Sequence, residues 1–118
     1  MKQKITKNLS ILTFTLLVFV FTSIESTQLV YGQSGEGEKT YSENCDGCHG
    51  GGFVGWLSGA PKTGDRSKWE PILKKSMDEI VISAIKGVGR MDPKGGCDKC
   101  SDERIRSAVE YMVSKTTQ

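Results

Sequence analysis

A single histidine, His49, is present among 118 residues, so any site that needs two imidazoles is excluded from the start. Basic residues form no sustained Lys/Arg run and no nucleic-acid motif is present, which sets nucleic acid aside as a partner. No stretch alternates apolar and polar residues long enough to form a strand, so a β-rich fold is excluded too. No apolar run reaches the ~20 residues of a spanning helix, and no cysteine lies between residues 20 and 35 where a lipoprotein anchor would need one.

The N-terminus comes nearest to such a run. Lys2, Lys4 and Lys7 precede thirteen uncharged residues, Leu9 to Phe21, and a looser polar stretch follows to Gln33. That is the layout of a secretory signal peptide, and residues 1–32 are read as one, with cleavage after Gly32 and a cut after Ser26 as the alternative. The competing reading is an uncleaved anchor over residues 9–24, interrupted by Thr13, Thr15, Thr22 and Ser23. Either way residues 33–118 are an exported domain, placed in the periplasm or at the outer face of the cytoplasmic membrane. That domain carries 13 basic and 13 acidic side chains, with nine bases against six acids between residues 62 and 100. A modest basic side could guide docking to an acidic partner, and an ordinary solvated surface is the plain alternative.

Periodicity within the domain is helical. Ser34 or Gly35 starts a helix running to Asn44; the glycine-rich stretch Gly50 to Pro61 reads as a loop holding Phe53, Val54, Trp56 and Leu57. Asp65 caps a short turn, Arg66 to Trp69, that Pro71 interrupts or kinks. Ser76 and Glu79 form a capping box ahead of the stripe Ile80, Val81, Ala84 and Ile85, and Gly87 stops that helix. Ser101 caps the last one, with Asp102 and Glu103 in its first turn and Ile105, Ala108, Val109 and Met112 spaced as one apolar face.

Chemistry concentrates in Cys45-Asp46-Gly47-Cys48-His49. A Cys-x-x-Cys pair alone fits zinc, thiol–disulfide exchange or chance. A histidine directly after it adds a residue that can reach over a porphyrin whose vinyl groups the two thiols have taken, and the stretch reads as the attachment site of one covalent haem c. A second pair, Cys97 and Cys100, lies 48 residues further on, too far for the ~15–20 of a zinc ribbon, and no βαβ pattern surrounds either pair. With His49 as the proximal ligand, the sixth position holds a second protein ligand, water or nothing. Met91 is the residue placed to fill it, because it sits in a Gly- and Pro-rich segment where a side chain can be aimed freely. Met77 and Met112 lie at a helix start and on an apolar stripe, where core packing explains them. Methionine and imidazole together saturate iron and raise its potential, which leaves outer-sphere electron transfer rather than catalysis.

The haem motif, Gly59-Ala60-Pro61-Lys62 with Gly64-Asp65, Trp69 with Pro71, Met91-x-Pro93-Lys94-Gly95-Gly96-Cys97-x-x-Cys100-Ser101-Asp102, and Tyr111-Met112 together resemble the cytochrome c₅ subgroup of class I cytochromes c. The resemblance covers about residues 36 to 114. It implies an all-α fold, a small cytochrome c of three to five helices wrapped around one covalently bound haem. It implies Cys45 and Cys48 as thioether attachments and His49 and Met91 as axial ligands. Pro61 would present its carbonyl to the non-ligating nitrogen of His49, Trp69 would contact a propionate, and Cys97 and Cys100 would form a disulfide. A catalytic dithiol is the alternative for that pair.

Three departures stand out. The segment between His49 and Gly59 is several residues longer than usual, Ile72 occupies a place where arginine is common, and Asp92 one where proline is. A propionate partner would then come from Arg66 or Lys68. The function expected is that of an exported one-electron carrier and not an enzyme, its partners redox proteins of membrane respiratory complexes. A membrane-tethered cytochrome subunit and an open-site haem enzyme or gas binder are the alternatives.

Overall fold

The structure, a computed structural model, describes residues 28–118; the signal-peptide and anchor readings therefore lie almost wholly outside the described residues. Six α-helices are described: α1 Gln28–Asn44, α2 Asp46–His49, α3 Phe53–Ser58, α4 Arg66–Leu73, α5 Met77–Lys86 and α6 Asp102–Thr117, with a 3-10 turn over Pro93–Gly96 between the last two. No strand is named among these residues, and the all-α expectation stands, with one isolated bridge joining Val88 and Met91. Among the described residues no helix is long and apolar enough to cross a membrane.

Local caps explain the best-defined helices. Ser76 accepts from the Glu79 amide at 3.3 Å while the Glu79 carboxylate accepts from the Ser76 amide at 2.8 Å, which closes the expected box at the start of α5. The bonds its carboxylate accepts from the Ser76 amide and the Ser76 hydroxyl hold the Glu79 carboxyl below its ordinary value. Gly87, at φ 81°, ends α5, and Ser101 accepts from the Arg104 amide to start α6. The inward stripes of α5 and α6 then meet: Ile80, Val81, Cys100, Ile105 and Val109 form one buried cluster, with Ile72, Met77, Ala84 and Ile85 against it.

The helix count exceeds the three to five expected, for local reasons. The expected loop after His49 contains α3, which starts at Gly52 and ends at Gly59 in the left-handed region (φ 71°). Flanking glycines thus delimit a helix there and do not dissolve it. Pro71 lies inside α4, which continues to Leu73; its missing N–H removes only the bond to Ser67 and breaks nothing further. Helix α1 extends back to Gln28, well before Ser34.

Helix α1 crosses α6 where Gly37 meets Ser107. A methyl at Gly37 would collide with the Ser107 carbonyl and lie 3.3 Å from Tyr111 Cβ. Around this crossing Tyr41 and Tyr111 sit with ring centroids 5.3 Å apart, Thr40 is fully buried, and Arg104 reaches Glu36 at 3.6 Å and Glu43 at 3.7 Å. Gly37→Ala is expected to destabilise the haem-loaded protein by about 1–3 kcal/mol, read as a lower urea midpoint with an unchanged slope. An unchanged midpoint would mean the two backbones can separate freely.

Candidate functional site

Helix α2 is a single turn that begins at Asp46 and brings Cys45, Cys48 and His49 onto one short segment. The amide of His49 donates to the Cys45 carbonyl at 2.8 Å and that of Cys48 to the same oxygen at 3.1 Å, so the turn is closed by its own backbone. Tyr41 adds a brace from α1, its hydroxyl donating to Asp46 Oδ1 at 2.9 Å. Cys45 is half-buried and Cys48 exposed; burial, with a smaller effect from the neighbouring Cys48, pushes the Cys45 thiol up. His49 is buried.

The Pro61–Gly64 segment lies beside that turn. His49 Nδ1 donates to the Pro61 carbonyl at 2.8 Å, and because a carbonyl can only accept, Nε2 is left as the nitrogen with a free lone pair. Four bonds set this segment: Thr63 N to His49 O at 2.8 Å, Asp65 N to Lys62 O at 3.0 Å, Trp69 Nε1 to Lys62 O at 2.9 Å, and Gly64 N to Thr116 Oγ1 at 3.0 Å. Trp69 is the residue expected to contact a propionate. Its indole has one donor, that donor is taken by Lys62, and the ring is 4% exposed with its centroid 6.4 Å from the His49 ring. Ile72 packs against the core cluster and stands as a filler.

Thr116 carries no signal in the sequence, since a threonine near a chain end is ordinary. It is nevertheless 3% exposed; its hydroxyl donates to the Met112 carbonyl at 2.8 Å and accepts from Gly64. Thr116→Val is expected to lower stability by about 1–2 kcal/mol, by leaving the Gly64 amide unpaired, and Thr116→Ser to restore it. Thermal unfolding of both variants would decide this, equal losses in Val and Ser pointing to packing instead.

Met91 and the second cysteine pair occupy the other segment, between α5 and α6. Gly87 turns the chain, Met91 N bonds Val88 O at 2.9 Å, and the 3-10 turn follows. Met91 is half-buried. Within the turn Lys94 adopts φ 56°, unusual for a residue with a side chain, and its ammonium is held by the Cys100 carbonyl at 2.9 Å and Asp102 at 2.8 Å. Cys97 and Cys100 are bonded to one another. Cys100 is followed by Ser101, so this pair lacks the histidine that follows Cys48. One hydrogen bond ties the segment to the haem-motif side, Arg90 Nη1 donating to the Leu57 carbonyl at 3.3 Å, and Gly95 lies near enough that a methyl there would sit 3.8 Å from both the Asn44 carbonyl and Met91 Cε.

Comparison with known proteins places this geometry. A family model described as cytochrome C oxidase, cbb3-type, subunit III matches residues 32–112. Cytochrome c-555 of Chlorobaculum thiosulfatiphilum is 39% identical over 84 residues, 68% of this chain and 93% of that protein. The chain belongs to the cytochrome c family. Cytochrome c5 of Ectopseudomonas mendocina is 38% identical over 73 residues, 60% of this cytochrome and 79% of that one. A chain from a crystal structure described as an electron transfer complex of nitrite reductase with cytochrome c aligns at a TM-score of 0.61 and 36% identity, covering 69% of this chain and 94% of that one. The cytochrome is thus a mostly helical, haem-binding protein of electron transport, and its relatives bind one covalent haem c. The residues present fit that group: two unbonded thiols and an imidazole with a free Nε2 stand on one turn, and a thioether is carried on a loop tied to the same region.

Proposed function

We propose that this cytochrome is an exported one-electron carrier between redox proteins, with the haem attached through Cys45 and Cys48 and its iron held by His49 and Met91. Bound there, the haem supplies a reversible Fe(III)/Fe(II) couple. The chain's own residues do the rest. The Pro61 carbonyl, by accepting from His49 Nδ1, orients the ring and points Nε2 away from that bond. The Met91 thioether, a soft ligand, favours the reduced iron and raises the potential relative to two imidazoles. Two protein ligands leave no position for a substrate, so electron transfer is outer-sphere. The observation that carries this reading is the Nδ1–Pro61 bond beside two unbonded thiols on one closed turn.

The redox-protein partner draws support from the resemblance of the fold to one chain in a structure described as an electron transfer complex of nitrite reductase with cytochrome c. Export rests on the pattern of residues 1–32. Mass spectrometry of protein recovered from the periplasm is expected to show an N-terminus near Gln33, one added haem and no free thiol at Cys97 or Cys100. A mature N-terminus at Met1 in washed membranes would favour the tethered subunit. A reduced-minus-oxidised spectrum without a low-spin c-type signal would sink the carrier reading itself.

A further inference from the structure

Helix α3 is the part of the long segment after His49 that the haem motif does not explain. Its one buried residue is Gly55, and a methyl there would lie 2.7 Å from the Cys48 carbonyl, so the helix packs backbone to backbone on the attachment turn. At about 100° per residue, Val54 and Trp56 then point about 100° and Phe53 and Leu57 about 160° away from Gly55. These four are 57%, 76%, 75% and 59% exposed in that order, and the Phe53 and Trp56 rings stand 6.1 Å apart. Single exposed apolar residues are common, whereas four on one six-residue helix form a platform. Two cations border it: Arg90 reaches across to the Leu57 carbonyl at 3.3 Å and the Lys62 stem runs beside Gly51, while the Asp46 carboxylate, which stands against Gly50, accepts from the Tyr41 hydroxyl. Exposed Val88 extends the apolar area on the Arg90 side.

We propose that α3 is the docking platform for a redox protein that presents an apolar patch bordered by carboxylates, with Phe53 and Trp56 as anchors and Lys62 and Arg90 as the charged rim. This rests on the carrier function above. A protein seated on α3 lies one backbone layer from the Cys48 attachment, where a short path serves transfer; lipid at that face would cover the same path. One electron leaves the ferrous cytochrome and reduces the partner's oxidised centre, with no bond made or broken.

The test uses haem-loaded protein and two oxidants: an acidic blue-copper protein with an apolar copper edge, and ferricyanide. For Phe53→Ala/Trp56→Ala, the ratio of the protein rate to the ferricyanide rate is expected to fall at least about tenfold. Val54→Glu, which sets a carboxylate against those of the partner, should lower the same ratio, and Lys62→Gln should flatten its salt dependence. An unchanged ratio in both Phe53→Ala/Trp56→Ala and Val54→Glu overturns the proposal. So do nuclear Overhauser contacts between the Phe53 or Trp56 rings and haem methyls, self-association that the double variant abolishes, or co-sedimentation with phosphatidylglycerol vesicles that it abolishes. Wild-type protein that ferricyanide cannot reoxidise would instead defeat the carrier function, which separates the two failures.

Discussion

Met91→Ala is expected to abolish the weak far-red thioether-to-iron band of the oxidised protein and to lower the reduction potential by on the order of a few tenths of a volt, within the roughly 0.8 V that axial ligands span. The direction follows from ligand chemistry. A thioether stabilises Fe(II), and its removal leaves water or a harder donor that prefers Fe(III). No histidine can replace it, because His49 is the only one and its Nδ1 is committed to Pro61. The variant should also bind carbon monoxide readily when reduced, as the wild type should not. Met77→Leu and Met112→Leu serve as controls, since Met77 packs against the core and Met112 is 5% exposed within it; both should keep band and potential. Retention of the far-red band in Met91→Ala would remove Met91 as a ligand.

Trp69→Ala should produce the largest loss of stability, about 3–5 kcal/mol. A domain the size of Gly32–Gln118 has only about 4–13 kcal/mol in total, so the variant stands near unfolding. Two effects add: a large buried ring is lost, and the Lys62 carbonyl loses its indole donor. Trp69→Phe separates them. It keeps most of the packing and removes the N–H, for an expected cost of about 1–3 kcal/mol. Because Lys62 adjoins Pro61, it should also shift the reduction potential by loosening the carbonyl that orients His49. Denaturant unfolding and potentiometry on the haem-loaded variants report the two parts. If Trp69→Phe matches wild type in both, the indole bond does not hold the segment.

These two residues show unequal legibility. Met91 stands out in sequence because a methionine between glycines and a proline is freed from helical constraint, and its setting needs no distant partner to be noticed. Trp69 carries no comparable local signal. The partner of its Nε1, the Lys62 carbonyl, is named only by the fold. Asp92 is exposed beside Met91, and nothing in the structure explains its replacing a proline.

Local pattern in the chain is enough for the haem motif, the start and stop of α5, the start of α6, and the faces those helices bury. All are local: two thiols and an imidazole within five residues, hydroxyl caps bonding amides three residues on, and apolar side chains at helical spacing. The Pro61 carbonyl beside His49 was implied by the family resemblance and by no local pattern, whereas the Thr116 anchor of Gly64 and the way α3 faces came from the fold alone. Pro61 lies twelve residues from His49, and Thr116 lies 52 residues from the Gly64 amide it receives. Glycines around α3 read as a loop until Gly55 is seen against Cys48. Bonds between distant residues leave no periodicity and no spacing in the chain, so packing alone could reveal them.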